Sequence, residues 1–577
     1  MDLRTIKSFE FWLTDDYFDE ETKQELKNLR GNEKEIEERF YKDLEFGTGG
    51  IRGIIGAGTN RINIYTIRRA TQGLANYIEK KGQRAKDRGV VIAYDCRHMS
   101  KEFSEEAAKV LAANGIKSYI FSELSPTPAL SFAVRKLEAI AGIVVTASHN
   151  PPEYNGYKVY WEDGGQVATQ LAQEIIDEIN EVYDFQQIGV MEKGVAIKLG
   201  LMKILEEEIM DAFIEAVKTQ SLRQDLVKEV GANYKIVYTP LHGTGNKPVR
   251  RALKELGFDK VLVVPEQELP DGNFPTVSYP NPEEKEAFTL AIELAKKENA
   301  HLIIGTDPDC DRVGAVVKNN EGEFTVLTGN QTGALLVHYI LSTLKEKGKL
   351  PENGAIIKTI VTSEMGAVIA ESFNIETFNT LTGFKYIGEK IKEFIETDRY
   401  TYLFGYEESY GYLAGTHARD KDAVVTAMLI GEMAAYYYTR GMSLYEGLLA
   451  LYEEYGYFLE DLKSITLAGK EGMEKIKATL DDFRNNPPKL INGTPVMVTE
   501  DYLLQKRCFS KDKQEEVINL PSSDVIKFIL EDGSWIALRP SGTEPKLKVY
   551  GGIQGESIEL CRQKLDGNLS AILEKIR

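Results

Sequence analysis

Short apolar, β-branched runs alternate with amphipathic stretches in the same order three times along the chain. In the first copy GVVIAYD (89–95) predicts a buried strand and FSEEAAKVLAANG (103–115) a helix ending at Gly115. IKSYIF (116–121) and EAIAGIVVTASHN (138–150) predict two further strands. The second copy runs through YKIVYTP (234–240), KPVRRALKELG (247–257), DKVLVVP (259–265) and NAHLIIGTDPDCDR (299–312). The third runs through GAIIKTIVTS (354–363), SEMGAVIAESF (363–373), IETFNTL (375–381) and YTYLFGYEESYG (400–411). Continuous apolar strands separated by helices are the pattern of parallel α/β units, and the repeated order predicts three related domains.

The C-terminal region breaks this pattern. A helical stretch around 437–457 leads to a Pro-rich hinge, NNPPKL (485–490), and then to the alternating run DVIKFILEDGSWIALRPSGTEPKLKVYGGI (524–553). Asp532-Gly533 is a hairpin signal within that run, and a closing helix is predicted at 559–576. The expected fold class is α/β in four domains, 1–218, 219–329, 330–457 and 458–577: three related mixed α/β sheet domains plus a C-terminal antiparallel α+β domain around a central cleft. In each repeat the third strand runs into a polar loop, TASHNP, GTDPDCDRVG or GYEESYG. Parallel sheets place ligands outside the carboxyl ends of their strands, so these loops are where chemistry is expected.

Composition narrows the function. The 577 residues carry 70 Lys and Arg against 89 Asp and Glu, a net charge of −19 that argues against nucleic-acid binding. A local knot of cations still suits a small anion, because screening confines the distant field to about 8 Å. No run reaches the ~18 apolar residues of a membrane span, and the acidic N-terminus lacks the features of a secretory signal. Cys96, Cys310, Cys508 and Cys561 stand singly, as expected in a reducing cytoplasm.

Four loops carry candidate chemistry. Ser148 in Thr146-Ala147-Ser148-His149-Asn150-Pro151 is either a covalent phosphate carrier or a serine that only caps its turn. It is not the nucleophile of a G-x-S-x-G elbow, since Thr146 and Asn150 replace the glycines. Asp307, Asp309 and Asp311, bent by Pro308, repel one another unless a cation lies between them, and oxygen-only ligands suit Mg²⁺. Glu407 and Ser409 in Gly405-Tyr406-Glu407-Glu408-Ser409-Tyr410-Gly411 suit sugar hydroxyls, with His417, Arg419 and Lys421 following as a cationic cluster. Arg539, Ser541, Gly542 and Thr543 in RPSGTEPK have the equipment of a phosphate cradle. Gly243-Thr244-Gly245 does not continue as G-x-G-x-x-G, so nothing calls for a nucleotide.

TASHNP, GTDPDCDR, GYEESYG and RPSGTEPK, one per domain and in this order, resemble the α-D-phosphohexomutases, the superfamily of phosphoglucomutases and phosphomannomutases. The likeness runs from FGTGGIRG (46–53) to Gly552, and the EESYG form is closer to phosphoglucomutases than to phosphoglucosamine mutases. The resemblance implies a phosphoserine at Ser148, with Mg²⁺ held by Ser148, Asp307, Asp309 and Asp311. It implies interconversion of glucose 1-phosphate and glucose 6-phosphate through glucose 1,6-bisphosphate. Arg52, Lys158 and Arg312 would surround the reacting group, and His149, Lys158, His417 and Lys421 are candidates for the base. Thr382, Gly383 and Lys385 would help read the sugar, and the cradle would hold the non-reacting phosphate. Asp95 and Arg97 resemble a motif that braces the first domain, whereas His98, His301 and His338 are expected to be structural. The partners implied are small sugar phosphates, without nucleic acid or membrane, for a monomer or weak homodimer in the cytoplasm. The alternatives are a phosphomannomutase or phosphopentomutase, a Mg²⁺-dependent sugar phosphatase, and a non-catalytic sugar-phosphate sensor.

Overall fold

The computed structural model describes all residues except Thr48, Ala468, 542–545 and Arg577, together with the backbone only of 469–471. The chain divides into two units. The first comprises Met1–Leu327, Ile387–Thr397 and Ser409–Arg440; the second comprises Thr328–Tyr386, Asp398–Glu408 and Gly441–Arg577.

The first unit holds two mixed sheets. One orders its strands Gly50–Ile54, Tyr154–Trp161, Ala141–Val145, Val90–Tyr94, Ser118–Phe121 and Met202–Leu205. The apolar runs read from the sequence form its parallel centre, and Val90–Tyr94 and Ala141–Val145 are buried throughout. Tyr154–Trp161 pairs antiparallel with Ala141–Val145 and with Gly50–Ile54, placing Lys158 opposite Gly50 and Arg52 opposite Gly156. The second sheet runs Phe324–Val326, Val313–Lys318, Leu302–Thr306, Lys235–Thr239 and Lys260–Val263, with Val313–Lys318 antiparallel to Leu302–Thr306. Ahead of the first sheet, Trp12, Phe18, Phe40 and Tyr65 form an aromatic cluster in which Trp12 stacks on Phe18 at 4.4 Å.

The second unit holds three parallel strands, Glu376–Thr380, Gly354–Thr359 and Thr401–Glu407, and an antiparallel sheet. That sheet orders Tyr457–Thr466, Lys546–Gly555, Trp535–Pro540, Ile526–Leu530, Thr494–Asp501, Lys506–Phe509 and Glu515–Val517. The hairpin at Asp532-Gly533 is present, with Gly533 at φ 79° where glycine carries no Cβ penalty. One expectation needs correction. The helical stretch around 437–457 is two helices, Ala423–Tyr438 and Leu444–Tyr455, and Tyr457 opens a strand instead. The prolines at 487–488 join helix Gly469–Asn485 to strand Leu490–Ile491. Among the described residues no helix is long and apolar enough to cross a membrane.

Candidate active site

In the first unit, Ser148 lies in the turn after strand Ala141–Val145 at φ 53°, a left-handed conformation that costs a non-glycine residue free energy. Its surroundings enforce that backbone. The Ser148 amide donates to Thr146 Oγ1 at 2.8 Å, and Thr146 donates to Asp95 Oδ2 at 2.6 Å. Arg97 donates to the carbonyls of Ser148 (2.6 Å), Pro151 (2.7 Å) and Tyr154 (3.1 Å), and also to that of Asn150. One buried guanidinium, balanced by Asp95 at 3.3 Å, thus fastens the whole loop.

The fixed turn aims the Ser148 hydroxyl at the second loop. Oγ donates to Asp307 Oδ2 at 2.7 Å and lies 3.2 Å from Nδ1 of His149. The His149 ring therefore faces the serine, which adjacency in sequence alone does not require. Asp307, Asp309 and Asp311 are buried, and each offers an oxygen within 4.8 Å of the others. Asp307 Oδ1 accepts from the amides of Asp311 (3.1 Å) and Arg312 (2.9 Å), closing the turn, while Asp309 Oδ1 and Asp311 Oδ1 are buried without a hydrogen-bond partner among the described residues. Buried, oxygen-only, crowded with like charge and carrying orphaned acceptors, the trio fits a small divalent cation.

Cations ring the trio. Lys158 Nζ lies 2.8 Å from Asp309 and 3.5 Å from Asp311; Lys421 lies 3.2 Å from Asp311 and 3.0 Å from Asp420. Tyr160 donates to the other Asp420 oxygen at 2.7 Å. Arg52 reaches Asn150 Oδ1 at 2.9 Å, and Arg312 pairs with Glu283. Burial, with Asp309 and Asp311 adding to it, pushes the Asp307 carboxyl well above its ordinary range. Asp309 is buried too, but Lys158 outweighs that and holds it low. Lys158 itself is raised, burial being overcome by Asp309 and Asp311. Burial, together with Arg312 and Arg52, holds the His149 ring well below 6.5 and hence neutral.

Several contributors escape a reading of the loops. Thr127, at the start of helix Thr127–Lys136, donates from its amide to the Asp309 carbonyl (2.9 Å) and from Oγ1 to Asp309 Oδ2 (3.0 Å). The Thr244 amide donates to the Pro308 carbonyl at 2.8 Å, and the adjacent Gly243 backs directly onto Pro308. The Pro-Thr-Pro break at 126–128 is a visible signal for the first; the Gly-Thr-Gly run is one for the second, of close backbone approach. His417 and Arg419 belong to this unit but are occupied within their own loop. His417 pairs with Asp422 at 2.7 Å and Arg419 donates to the Ala418 carbonyl at 2.9 Å. Ser409 begins the last stretch of the unit.

The second unit carries the remaining predicted residues. Glu407 Oε1 accepts from the Gly383 amide at 2.8 Å, and Arg539 donates to Thr382 Oγ1. Lys385 lies over the Tyr386 ring at 4.9 Å, and the Ser541 amide donates to the Lys546 carbonyl at 2.7 Å. Gly542 and Thr543 of the expected cradle lie outside the described residues.

Comparison with known proteins identifies the family. Four phosphoglucomutase/phosphomannomutase profiles match in order: alpha/beta/alpha domain I over residues 43–185, domain II over 211–322, domain III over 328–455 and the C-terminal domain over 498–557. A phosphoglucomutase of Staphylococcus haemolyticus (strain JCSC1435) is 39% identical over 529 residues, covering 92% of this chain and 94% of its own. One from Staphylococcus aureus (strain USA300) is 38% identical over 546 residues, covering 94% and 95%. In fold, the chain is similar to the exocytosis-sensitive phosphoprotein pp63/parafusin of Paramecium, with a TM-score of 0.68, 18% identity and coverage of 93% and 95%. It is also similar to a phosphoglucomutase/phosphomannomutase family protein of Burkholderia thailandensis, with a TM-score of 0.63, 19% identity and coverage of 92% and 97%. The chain belongs to the phosphoglucomutase/phosphomannomutase family and is a mutase, an enzyme of the isomerase class.

Proposed function

We propose that the enzyme interconverts glucose 1-phosphate and glucose 6-phosphate by way of a phosphoserine at Ser148 and glucose 1,6-bisphosphate. The observation that carries this reading is the Ser148 hydroxyl held 2.7 Å from Asp307 at the edge of a buried aspartate trio. The relatives named phosphoglucomutase support glucose as the sugar. On this reading the domains divide at 218, 329 and 457. All four cysteines are free, which suits a reducing cytoplasm.

In the forward step the bond between phosphorus and Ser148 Oγ breaks as the sugar hydroxyl oxygen bonds to phosphorus. The hydroxyl proton leaves to a base, and Ser148 regains a proton. His149, with Nδ1 3.2 Å from Oγ, is the candidate base in contact with the serine, while Lys158, ion-paired to Asp309 and Asp311, and Lys421 balance charge. Arg52 and Arg312 stabilise the in-line transition state electrostatically. The bisphosphate turns end for end, and the reverse step returns the other phosphate to Ser148. Asp307, Asp309, Asp311 and Ser148 would hold Mg²⁺, which when bound supplies charge stabilisation to the phosphoryl oxygens. In the second unit, Glu407, Thr382, Gly383 and Lys385 are assigned to the sugar, and Arg539, Ser541, Gly542 and Thr543 to its non-reacting phosphate.

The test is Ser148→Ala, assayed for glucose 6-phosphate formation with trace bisphosphate present. Turnover should fall by more than about 10³-fold with the melting curve unchanged. Intact mass should show one phosphoryl group on the wild type and none on the variant. Retained turnover, release of inorganic phosphate in place of product, or faster turnover of mannose or ribose 1-phosphate would each overturn the reading.

A further inference from the structure

The second unit contains a cavity of about 390 Å³ that none of the residues assigned above lines. Lys527, on strand Ile526–Leu530, lies in its wall, its side chain only 8% exposed. The ammonium donates to the Ile360 carbonyl at 2.7 Å, lies 3.8 Å from Glu364 and sits 4.6 Å above the Trp535 ring. Among the described residues, one of its three donors thus has an acceptor at hydrogen-bond distance.

Lys527 does not have its carboxylate partner to itself. Lys358, wholly buried, takes the same Glu364 at 3.0 Å, so two ammonium groups share one carboxylate. Glu460, which also acts on Lys358, is held toward its neutral form by burial, its pKa pushed up to about 7. Burial holds Lys527 down to about 8, Glu364 opposing the fall and Lys358 adding to it, so it is still charged at neutral pH. Elsewhere in the wall, Arg507 is matched by Glu500 at 2.6 Å and by Glu516 at 3.6 Å, Tyr502 donates to Glu500 at 2.7 Å, and Glu500 also attracts Lys527. The rest of the wall includes the aliphatic side chains of Ile518, Leu520 and Ile529.

We propose that this cavity is a binding site for a small aliphatic monocarboxylate, its carboxylate against Lys527 and its chain along Ile518, Leu520 and Ile529. Lys527 offers one positive charge and, among the described residues, two donors without an acceptor, which suits a single negative charge. A phosphate monoester, with nearly two, would set the second against Glu364 and Glu500. The volume is within the range of small-ligand pockets, and a buried ammonium with unmet donors is the group an anion completes.

Hexanoate is the probe, titrated into the full-length protein by calorimetry and by fluorescence of Trp535, whose ring underlies Lys527. Expected is saturable binding of one hexanoate per chain, undisturbed by saturating glucose 1-phosphate. Lys527→Met should weaken it at least about tenfold. Ile529→Phe fills the aliphatic wall, leaves the charges in place, and should weaken it to a similar extent. If one variant melts early, the other decides. No saturable binding up to about 10 mM, affinity retained in a folded variant, displacement by glucose 1-phosphate, or tighter competition by inorganic phosphate would overturn the assignment.

Discussion

Replacing Gly243 with alanine tests whether the aspartate trio is located by the loop packed behind it. Gly243 has no left-handed φ, so what it supplies is space. An added Cβ would fall 2.4 Å from Pro308 Cα and 2.6 Å from its carbonyl oxygen. Both are backbone atoms of the turn that carries Asp307 and Asp309, and ordinary contact begins near 3.4 Å. The turn must therefore retreat by about 1 Å, which breaks the Thr244–Pro308 hydrogen bond. A displacement of about 1 Å at reacting groups costs about a hundredfold in rate, and overpacking of this kind costs about 1–3 kcal/mol of stability. Steady-state kcat and KM, measured across a Mg²⁺ titration and beside a thermal melt, should show kcat down about a hundredfold and a higher Mg²⁺ requirement. Gly165→Ala, whose Cβ would have its nearest contact with Asp163 at an ordinary 3.5 Å, should leave both unchanged. Wild-type kcat with a wild-type Mg²⁺ dependence in a folded Gly243→Ala protein would refute the idea that this contact positions the aspartates.

Two further predictions concern single side chains. Thr127→Val removes the 3.0 Å hydrogen bond to Asp309 Oδ2 while keeping the amide contact. Calorimetric Mg²⁺ affinity should drop about 10- to 100-fold and recover in Thr127→Ser, and an unchanged affinity in Thr127→Val would remove Thr127 from the positioning of the site. Glu460, raised by burial from 4.5 to about 7, keeps its proton in the folded protein over a range where the unfolded chain releases it. Its contribution is therefore complete below about pH 4.5 and is lost as pH rises to about 7, amounting to about 3 kcal/mol. Urea unfolding of Glu460→Gln should lack this part of the wild-type decline, and parallel pH profiles for the two proteins would show that Glu460 does not titrate this way.

The strands legible in the sequence are those buried on both faces. Val90–Tyr94, Ala141–Val145, Leu302–Thr306 and Gly354–Thr359 are buried from end to end, and the apolar run at the heart of each declares it. Tyr457–Thr466 is half-exposed along most of its length and follows a helix directly, and its strand character comes from pairing with Lys546–Gly555 about ninety residues later. No local pattern encodes that partner. The active site divides the same way. Ser148 and the three aspartates sit in short, chemically conspicuous loops. Thr127, Gly243 and Tyr160 act on Asp309, Pro308 and Asp420 across long sequence separations, through features as plain as one hydroxyl or a missing methyl. Gly243-Thr244-Gly245 is recognisable as glycine-rich, but its use, bringing two backbones together, is a property of the folded chain.

The path of the chain carries a consequence for biosynthesis. The first unit is left at Leu327 and completed only by Ile387–Thr397 and Ser409–Arg440, the last of which brings Lys421 to Asp311 and sets Tyr410 against Val313. A nascent polypeptide must therefore emerge from the ribosome beyond Lys421 before Asp311 acquires that cation. The site is completed late in translation, and a fragment ending at Leu327 would hold Ser148, the three aspartates and Lys158 but lack Lys421, the second lysine at Asp311.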